Sequence, residues 1–132
     1  MDTSSALGSV AVGRGDRLLA EVVVGVSTRH SEALLPAVDF ALEAAGLEPA
    51  DLAGVVVAAG PGSFTGVRIA AASAKAMVCV LDVPFFAFSS LAGLAAGAAA
   101  SERPVCAMFD ARRGEVYAGC YHFVGGRSVE TV

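Results

Sequence analysis

The sequence predicts an α/β domain, and three observations lead to that prediction. Short valine-rich apolar runs alternate with longer helix-like stretches along the 132 residues. One of the apolar runs, at residues 52–60, passes through the glycine-rich turn GPGSFTGVR into a helix-like stretch, as strand–turn–helix units do. Hydrophobic residues make up 55% of the chain and charged residues 17%, so we expect one well-filled core.

Three strands are predicted in the first 60 residues. The β-rich runs at residues 6–15 and 17–25 flank the turn GRGD at residues 13–16, which indicates an antiparallel hairpin. The apolar run at 52–60 has the length and valine content of a buried strand. We expect this third strand to be covered on both of its faces.

Two long helices are predicted beside these strands. The first covers residues 30–45, with Ser27 or Thr28 as its N-cap and Gly46 as its C-cap. The second covers residues 64–81 and begins directly after the glycine-rich turn. Each helix therefore follows a strand or hairpin, which is the order typical of an α/β fold.

The uncharged run at residues 83–101 has two interpretations. Its length alone would allow it to cross a membrane. However, Pro84 and a pair of serines divide the run, which favours a short strand at residues 85–88 and a helix over residues 90–100. We therefore expect no membrane span.

The pattern of strands starts again in residues 103–132. This segment predicts a strand, a turn at Arg112–Gly114, a second strand and, after Gly125-Gly126, the opening of a third. Asp2 and Asp110 each stand at a strand end beside a hairpin, which suggests a duplicated domain. We expect one domain over residues 1–102, with an incomplete first strand, and only the start of a second copy in 103–132.

The glycine-rich turn does not match the standard phosphate-binding motifs. A Walker loop requires a lysine that is missing here, and the spacing G-x-G-x-x-x-G is one residue too long for a dinucleotide fingerprint. Two interpretations stay open, namely a packing device with a serine or threonine helix cap, or a vestigial nucleotide site. Both concern the same residues, which are Gly60, Gly62, Ser63, Thr65, Gly66 and Arg68.

Few other residues indicate catalysis. Leu34 follows His30 by four residues, where a helical metal site would need a second histidine, so we expect neither a metal nor another cofactor. Asp2 and Asp110 could face each other across a cleft to hold metal or phosphate, but turn residues at strand ends explain them as well. The nucleophile motif Gly-x-Ser-x-Gly does not occur in the sequence.

The net charge and the cysteines restrict the cellular role. A net charge of −4 argues against unaided binding of nucleic acid, because such binding rests on lysine and arginine. Cys79, Cys106 and Cys120 are far apart and form no Cys-x-x-Cys pair. We therefore expect small core residues in a reducing compartment, and neither a zinc site nor a disulfide framework.

Four segments together resemble the TsaB (YeaZ) family. They are DTSSALGSVAV, HSEALLPAVDFAL, GPGSFTGVRIA and DARRGEVYAG, in this order along the chain. The resemblance implies the actin-like ATPase fold (ribonuclease H-like) of the Hsp70 and sugar-kinase superfamily and a cytoplasmic location. It also implies a role beside the transferase TsaD and the ATPase TsaE in forming threonylcarbamoyladenosine next to the anticodon of tRNA, with tRNA bound only through the complex.

The sequence departs from the family pattern in two ways. TsaD carries its metal on a His-x-x-x-His helix, and Leu34 stands where the second of those histidines would be, which favours a non-catalytic subunit. TsaB proteins also have several apolar residues before D-T-S and extend about a hundred residues further. The resemblance therefore implies that most of a first strand and most of a second domain lie outside this sequence.

The two long helices carry more apolar surface than packing against one sheet requires. Polar residues of the first helix are confined to a narrow stripe, and apolar residues flank it on both sides. We expect the helices to dock a TsaD-type transferase or, alternatively, a second copy of the chain, although a second domain could also cover them. The predicted docking residues are Ala33, Ala37, Phe40, Ala44, Val67, Ala71 and Val78.

Two functions of different classes follow from the sequence. The first is a non-catalytic scaffold that docks TsaD and works with TsaE. The second is an actin-like nucleotide-binding enzyme, a small-molecule kinase or glycoprotease-like hydrolase, that uses Asp2, Asp110 and the glycine-rich turn. Such an enzyme needs a complete second domain and metal or phosphate ligands, which favours the scaffold.

Overall fold

A computed structural model describes residues 1–25, 30–98, 103–124 and 127–130. Strands and helices alternate in these residues, as the sequence predicts. A 3-10 turn at Pro49–Asp51 joins α1 to β3. In chain order the elements are β1 Leu7–Arg14, β2 Arg17–Gly25, α1 His30–Ala45, β3 Val55–Ala58, α2 Phe64–Leu81, β4 Phe85–Phe88, α3 Ser90–Gly97, β5 Val105–Arg112, β6 Glu115–Val124 and β7 Arg127–Glu130.

The amino-terminal hairpin forms as predicted. β1 and β2 pair antiparallel along their whole length, with one register shift between Val12 and Gly13. Gly15 in the tight turn has a φ of 62°, a left-handed conformation that glycine adopts without strain. Val10 and Val12 are buried in the core that the hairpin shares with α1. The hairpin therefore has one covered face.

α1 packs on this hairpin and has the predicted bounds. Its core face consists of Leu34, Ala37, Val38, Ala41 and Leu42. Gly46 follows the helix with a φ of 67°, and its amide donates to the Glu43 carbonyl at 3.0 Å, which confirms the predicted C-cap. The predicted N-caps, Ser27 and Thr28, lie outside the described residues.

β3 and β4 form a parallel pair beneath α2. Val55 and Val57 pack against Ala70 and Ala74 of that helix, so one face of β3 is buried. The prediction that β3 is covered on both faces is correct only at the end of the strand, because on the opposite face Ala58 is 1% exposed but Val56 is 47% exposed. A run of valines shows that a strand is apolar, but it cannot show how many layers cover it.

Met1 and Asp2 connect the hairpin to the parallel pair. The Met1 amine donates to the Val56 carbonyl at 2.8 Å, and the Met1 carbonyl accepts from the Ala58 amide at 2.9 Å. Asp2 and Ser9 exchange two backbone hydrogen bonds, at 2.9 and 2.8 Å. These two residues are therefore paired on both sides, like residues of a central strand.

A third sheet holds β5, β6 and β7, which are antiparallel. α3 packs on it through a core of Leu91, Ala95, Ala107 and Tyr121. The turn at Arg112–Gly114 is confirmed, whereas the predicted turn at Gly125-Gly126 lies outside the described residues. The division of the chain at residue 102 stays a prediction.

The predictions that the cysteines are core residues and that they form no disulfide are wrong. Cys106 and Cys120 form a disulfide, because the register of β5 and β6 places them directly opposite each other. Their separation of 14 residues hides this proximity in the sequence. Cys79 is exposed on α2 and does not belong to the core.

The uncharged run at residues 83–101 folds as a strand followed by a helix. β4 and α3 account for most of it, and the Ser89 hydroxyl accepts from the Ala92 amide at the start of α3. Residues 99–102, which include the predicted end of the helix, lie outside the described part of the chain. The described part of this run therefore contains no single spanning helix.

Candidate functional site

The glycine-rich turn links the end of β3 to the start of α2. Gly60 and Gly62 have φ angles of 92° and 152°, which side chains other than glycine rarely allow. The Gly60 carbonyl accepts from the Ser90 amide at 2.8 Å, which ties the turn to the start of α3. The turn is thus held between its own strand and helix, β3 and α2, and the start of α3.

Thr3 and Ser4 hold the turn from the amino-terminal side. The Thr3 hydroxyl donates to the Gly66 carbonyl at 2.6 Å, and the Ser4 carbonyl accepts from the Ser63 amide at 2.6 Å. Both residues are buried, at 2% and 3% exposure. A Cβ on Gly66 would collide with the Thr3 carbonyl oxygen. In the sequence, only a run of small hydroxyl residues before β1 indicates that Thr3 and Ser4 have a structural role.

The helix cap at this turn is Ser63. Its hydroxyl accepts from the Gly66 amide at 3.3 Å, whereas Thr65 is exposed and makes no such bond. The amides of Ser63 and Gly66 are therefore engaged within the chain. A phosphate-binding loop needs such amides free to face its ligand. This arrangement supports the packing interpretation. Arg68, the last residue of the predicted site, is exposed and lies over the Phe64 ring, 5.2 Å from its centroid.

A cavity of about 940 Å³ lies between this turn and the β5–β6 hairpin. Its lining joins the amino-terminal segment, the first turn of α2 and the hairpin, through residues that include Ser4, Ser5, Thr65, Gly66, Asp110 and Tyr117. The sequence-predicted turn and one of the two predicted acids thus meet in one place. Asp2 does not line this cavity.

The side chains of Asp2 and Asp110 each stabilise a local turn. The Asp2 carboxylate accepts from the Ser4 amide at 2.7 Å, and the Asp110 carboxylate accepts from the Arg112 amide at 2.7 Å. Both are local side-chain bonds to the residue two positions on, which is an Asx turn. Asp2 and Asp110 line different cavities, and each carboxylate bonds within its own turn, so these contacts do not pair the two residues at a metal or phosphate site.

α1 contains His30 and Leu34, the two positions at which a metal-binding His-x-x-x-His helix would have its histidines. His30 begins the helix, and its side chain lies outside what the structure describes. Leu34 is 4% exposed and packs in the core with β1, a position in which a ligand histidine could not face solvent. Among the described residues, three His, Cys, Asp or Glu side chains do not gather anywhere in the arrangement that a metal requires.

α1 exposes large apolar side chains on its outer surface. Phe40 is 62% exposed and Leu35 is 48% exposed, while Ala44 is also exposed and Ala33 is half-buried. One predicted docking residue is wrong, because Ala37 is only 6% exposed and packs in the core with the hairpin. The helix is apolar on two sides, and its sequence does not say which side meets the sheet.

α2 is exposed over most of its length. Val80 is 84% exposed, and the predicted docking residues Val67, Ala71 and Val78 are half-buried. Within the described residues, α2 is the one helix whose length and hydropathy would suffice to cross a membrane, criteria that core helices of soluble proteins also meet. Only 17% of this helix is buried inside the chain, so its apolar surface needs another explanation.

Comparisons with known proteins give one matching family model and several similar relatives. The family described as "TsaD: tRNA N6-adenosine threonylcarbamoyltransferase" matches residues 24–131. The chain is 41% identical over 126 residues to the tRNA threonylcarbamoyladenosine biosynthesis protein TsaB of Bacillus subtilis, and 37% identical over 90 residues to TsaB of Escherichia coli. The structure of YeaZ from Pseudomonas aeruginosa superposes with a TM-score of 0.92 at 35% identity over 99% of this chain.

The matched region is part of each relative. It covers 96% of this chain but 55% of the Bacillus subtilis protein, and 67% of this chain but 39% of the Escherichia coli protein. It covers 62% of the Pseudomonas aeruginosa chain. The fold is the actin-like, ribonuclease H-like α/β fold. The chain belongs to the TsaB (YeaZ) family.

Proposed function

We propose that this protein acts in tRNA threonylcarbamoyladenosine biosynthesis as a non-catalytic subunit. In this proposal it docks a TsaD-type transferase through α1 and α2, in a cytoplasmic complex that also recruits a TsaE-type ATPase. The family and the names of its relatives support a role in this pathway. The geometry of the two helices supports the mode of action.

One observation carries the docking proposal. Large apolar side chains are exposed on two helices that contact each other, with Phe40 at 62% on α1 and Val80 at 84% on α2. Aromatic and aliphatic side chains of this size are typical of the buried centre of a protein interface. We define the outer face of the two helices as the exposed residues Phe40 and Ala44 of α1 with Ala72, Ala76 and Val80 of α2.

Two features support a non-catalytic role. Leu34, at the position where the resemblance implies the second metal-binding histidine of TsaD, is buried in the core. Two amides of the glycine-rich turn, those of Ser63 and Gly66, bond to Ser4 and Ser63 inside the chain. Leu34 and these two amides therefore serve the packing of the fold, which supports a non-catalytic role.

Introducing a negative charge on the outer face tests the proposal. Ala76→Glu and Phe40→Glu change exposed residues, so we expect both variants to fold as the parent does. In the complex each would bury an unpaired carboxylate, which costs several kcal/mol and should reduce binding by at least a hundredfold. The measurements are co-purification with a TsaD-type transferase and formation of threonylcarbamoyladenosine on tRNA in the reconstituted system.

A matched control is available in the 3-10 turn. Ala50→Glu introduces the same side chain at another exposed alanine, away from both long helices, and should leave binding and modification unchanged. If Ala76→Glu and Phe40→Glu also bind and support modification like the parent, the outer face is not the docking site. If the chain modifies tRNA without a partner, the non-catalytic role is wrong. Loss of a homodimer in either variant, with partner binding retained, would assign the face to self-association instead.

A further inference from the structure

The β5–β6 hairpin carries its disulfide on the face that α3 does not cover. Ala107 and Tyr121 lie in the core beneath α3, and the alternation of side chains along each strand turns their neighbours Cys106 and Cys120 to the opposite face. Cys106 is exposed on that face, and Cys120 is half-buried. A dissolved thiol can therefore reach the disulfide from the side of Cys106.

The two cysteines enclose the part of the hairpin that borders the cavity of about 940 Å³. The hairpin residues that line this cavity are Phe109, Asp110, Ala111, Arg112 and Tyr117. Each of them lies between Cys106 and Cys120, which are 14 residues apart. The disulfide therefore closes a loop that contains the hairpin's whole contribution to the cavity wall.

Between the disulfide and the turn, the side chains of the hairpin are mostly exposed. Met108, Val116 and Tyr117 are the large apolar or aromatic side chains among them. At the turn, Arg112 and Arg113 have φ angles of 68° and 55°, a left-handed conformation that is strained in residues other than glycine. Exposed side chains and a strained turn are features of segments that open locally. The disulfide therefore adds a constraint where packing supplies little.

Other contacts hold the rest of the sheet. β5 pairs with β6 and β6 with β7, and Leu91 and Ala95 of α3 pack on the covered face. The Tyr121 hydroxyl lies 3.3 Å from the Ser89 hydroxyl at the start of α3. Breaking the bond between the two sulfurs would leave all of these contacts in place. Reduction should therefore loosen the enclosed loop without unfolding the sheet.

We propose that Cys106 and Cys120 form a reversible redox switch on the cavity wall. As a disulfide they hold the enclosed loop in place, and as two thiols they allow it to open. Thiol pools in cells exchange with exposed disulfides, whereas they leave well-protected structural disulfides oxidised. The switch is independent of the proposed docking, because neither cysteine lies on α1 or α2.

Reduction of the switch consumes two thiols. The thiolate of the first attacks Sγ of Cys106, the bond between the two sulfurs breaks, and Cys120 leaves as a thiolate that takes up a proton. The thiolate of the second attacks the reductant sulfur of this mixed disulfide, so Cys106 also leaves as a thiolate and is protonated. Two electrons pass to the cysteine pair, and the two reductant thiols end as a disulfide. Oxidation by a disulfide of the same class is the reverse reaction.

A titration with glutathione tests the exchange. The folded chain is incubated in a series of reduced-to-oxidised glutathione ratios, and free thiols are trapped with iodoacetamide and located by peptide mass spectrometry. We expect Cys106 and Cys120 to change together from disulfide to labelled thiols as the reduced fraction rises. Cys79→Ser removes the exposed cysteine of α2 and should leave this titration unchanged. A pair that stays oxidised in excess reduced glutathione, or that never oxidises, would overturn the proposal.

Amide hydrogen exchange tests the effect on the loop. We expect reduction to speed exchange of the protected amides in residues 107–119 by about tenfold or more, because the disulfide limits the conformations of the open loop. Amides of α1 should exchange as before. The double variant Cys106→Ser, Cys120→Ser should exchange at the fast rate in either buffer, and the parent chain in reductant gives the same comparison if this variant does not fold.

Two outcomes of the exchange measurement contradict the switch. Equal exchange of residues 107–119 in the oxidised and reduced chains would show that the disulfide does not control the loop. Loss of protection throughout β5, β6 and β7 on reduction would show that the disulfide is a structural cross-link of the whole sheet.

Discussion

Gly66 is the residue at which the sequence motif and the packing meet most closely. The Thr3 carbonyl oxygen occupies the space in which any Cβ at residue 66 would lie. The Thr3 hydroxyl also bonds to the carbonyl of Gly66, so the contact is fixed from both sides. The glycine is required by the approach of another segment of backbone, and a phosphate is not needed to explain it.

Substitution of this glycine should therefore destabilise the fold. We expect Gly66→Ala to lower the free energy of unfolding by about 1–3 kcal/mol, and Gly66→Val to lower it further, because backbone must move to make room. Urea unfolding followed by circular dichroism measures the effect. Gly97→Ala in α3 is the matched control, since a Cβ there meets nothing within 4 Å. Equal stability of the two alanine variants would contradict the packing interpretation.

At the residue scale, the sequence predicts a structural role correctly where that role depends on one residue alone. Gly46 is confirmed as a cap, and of the two alternatives Ser63 and Thr65 the structure shows Ser63, because a cap depends on the residue's own side chain or lack of one. Ala37 and Cys106 failed because their environment depends on which distant residues lie opposite them. The sequence does not show the role of the buried Thr3 hydroxyl for the same reason, because its hydrogen-bond partner is 63 residues away.

At the scale of elements, α1 and α2 have the bounds that their periodicity and caps predict. Local signals, such as a glycine after the last turn or a serine before the first, define where a helix begins and ends. The number of covered faces is a different property. β3 contains four apolar residues in a row, and the identical pattern would suit a strand with one or two covering layers.

The cap of α2 allows a test that separates the two residues that the sequence left open. Ser63→Ala removes the hydroxyl that accepts from the Gly66 amide and should lower the free energy of unfolding by about 0.5–2 kcal/mol. Thr65→Ala changes an exposed residue without that bond and should stay within about 0.5 kcal/mol of the parent. Thermal unfolding of both variants measures this difference. A larger loss for Thr65→Ala would assign the cap to Thr65.

At the scale of the whole molecule, the charge balance bears on the proposal that tRNA is bound only through a partner. The chain has 9 lysine and arginine residues against 13 aspartate and glutamate residues. Affinity for a phosphate backbone comes largely from basic side chains that displace counterions. A protein with this balance needs a basic partner to approach tRNA closely.

The chain alone should therefore bind tRNA weakly. We expect no saturable binding at about 10 μM protein in low salt, measured by fluorescence anisotropy with labelled tRNA. Adding a TsaD-type transferase should give a complex that contains both proteins and tRNA. Saturable binding by the chain alone, weakening steeply with added salt, would show that it has its own tRNA surface.

The double pairing of Met1 and Asp2 has a practical consequence for anyone who prepares this protein. The first two residues are held by backbone hydrogen bonds between β1 and β3, so residues fused to Met1 start beside folded backbone and not in open solvent. We expect the first residues of an affinity tag or a protease-cleavage remnant at this end to affect the stability of the fold. A tag that begins with different residues can therefore change the Tm of the protein that carries it.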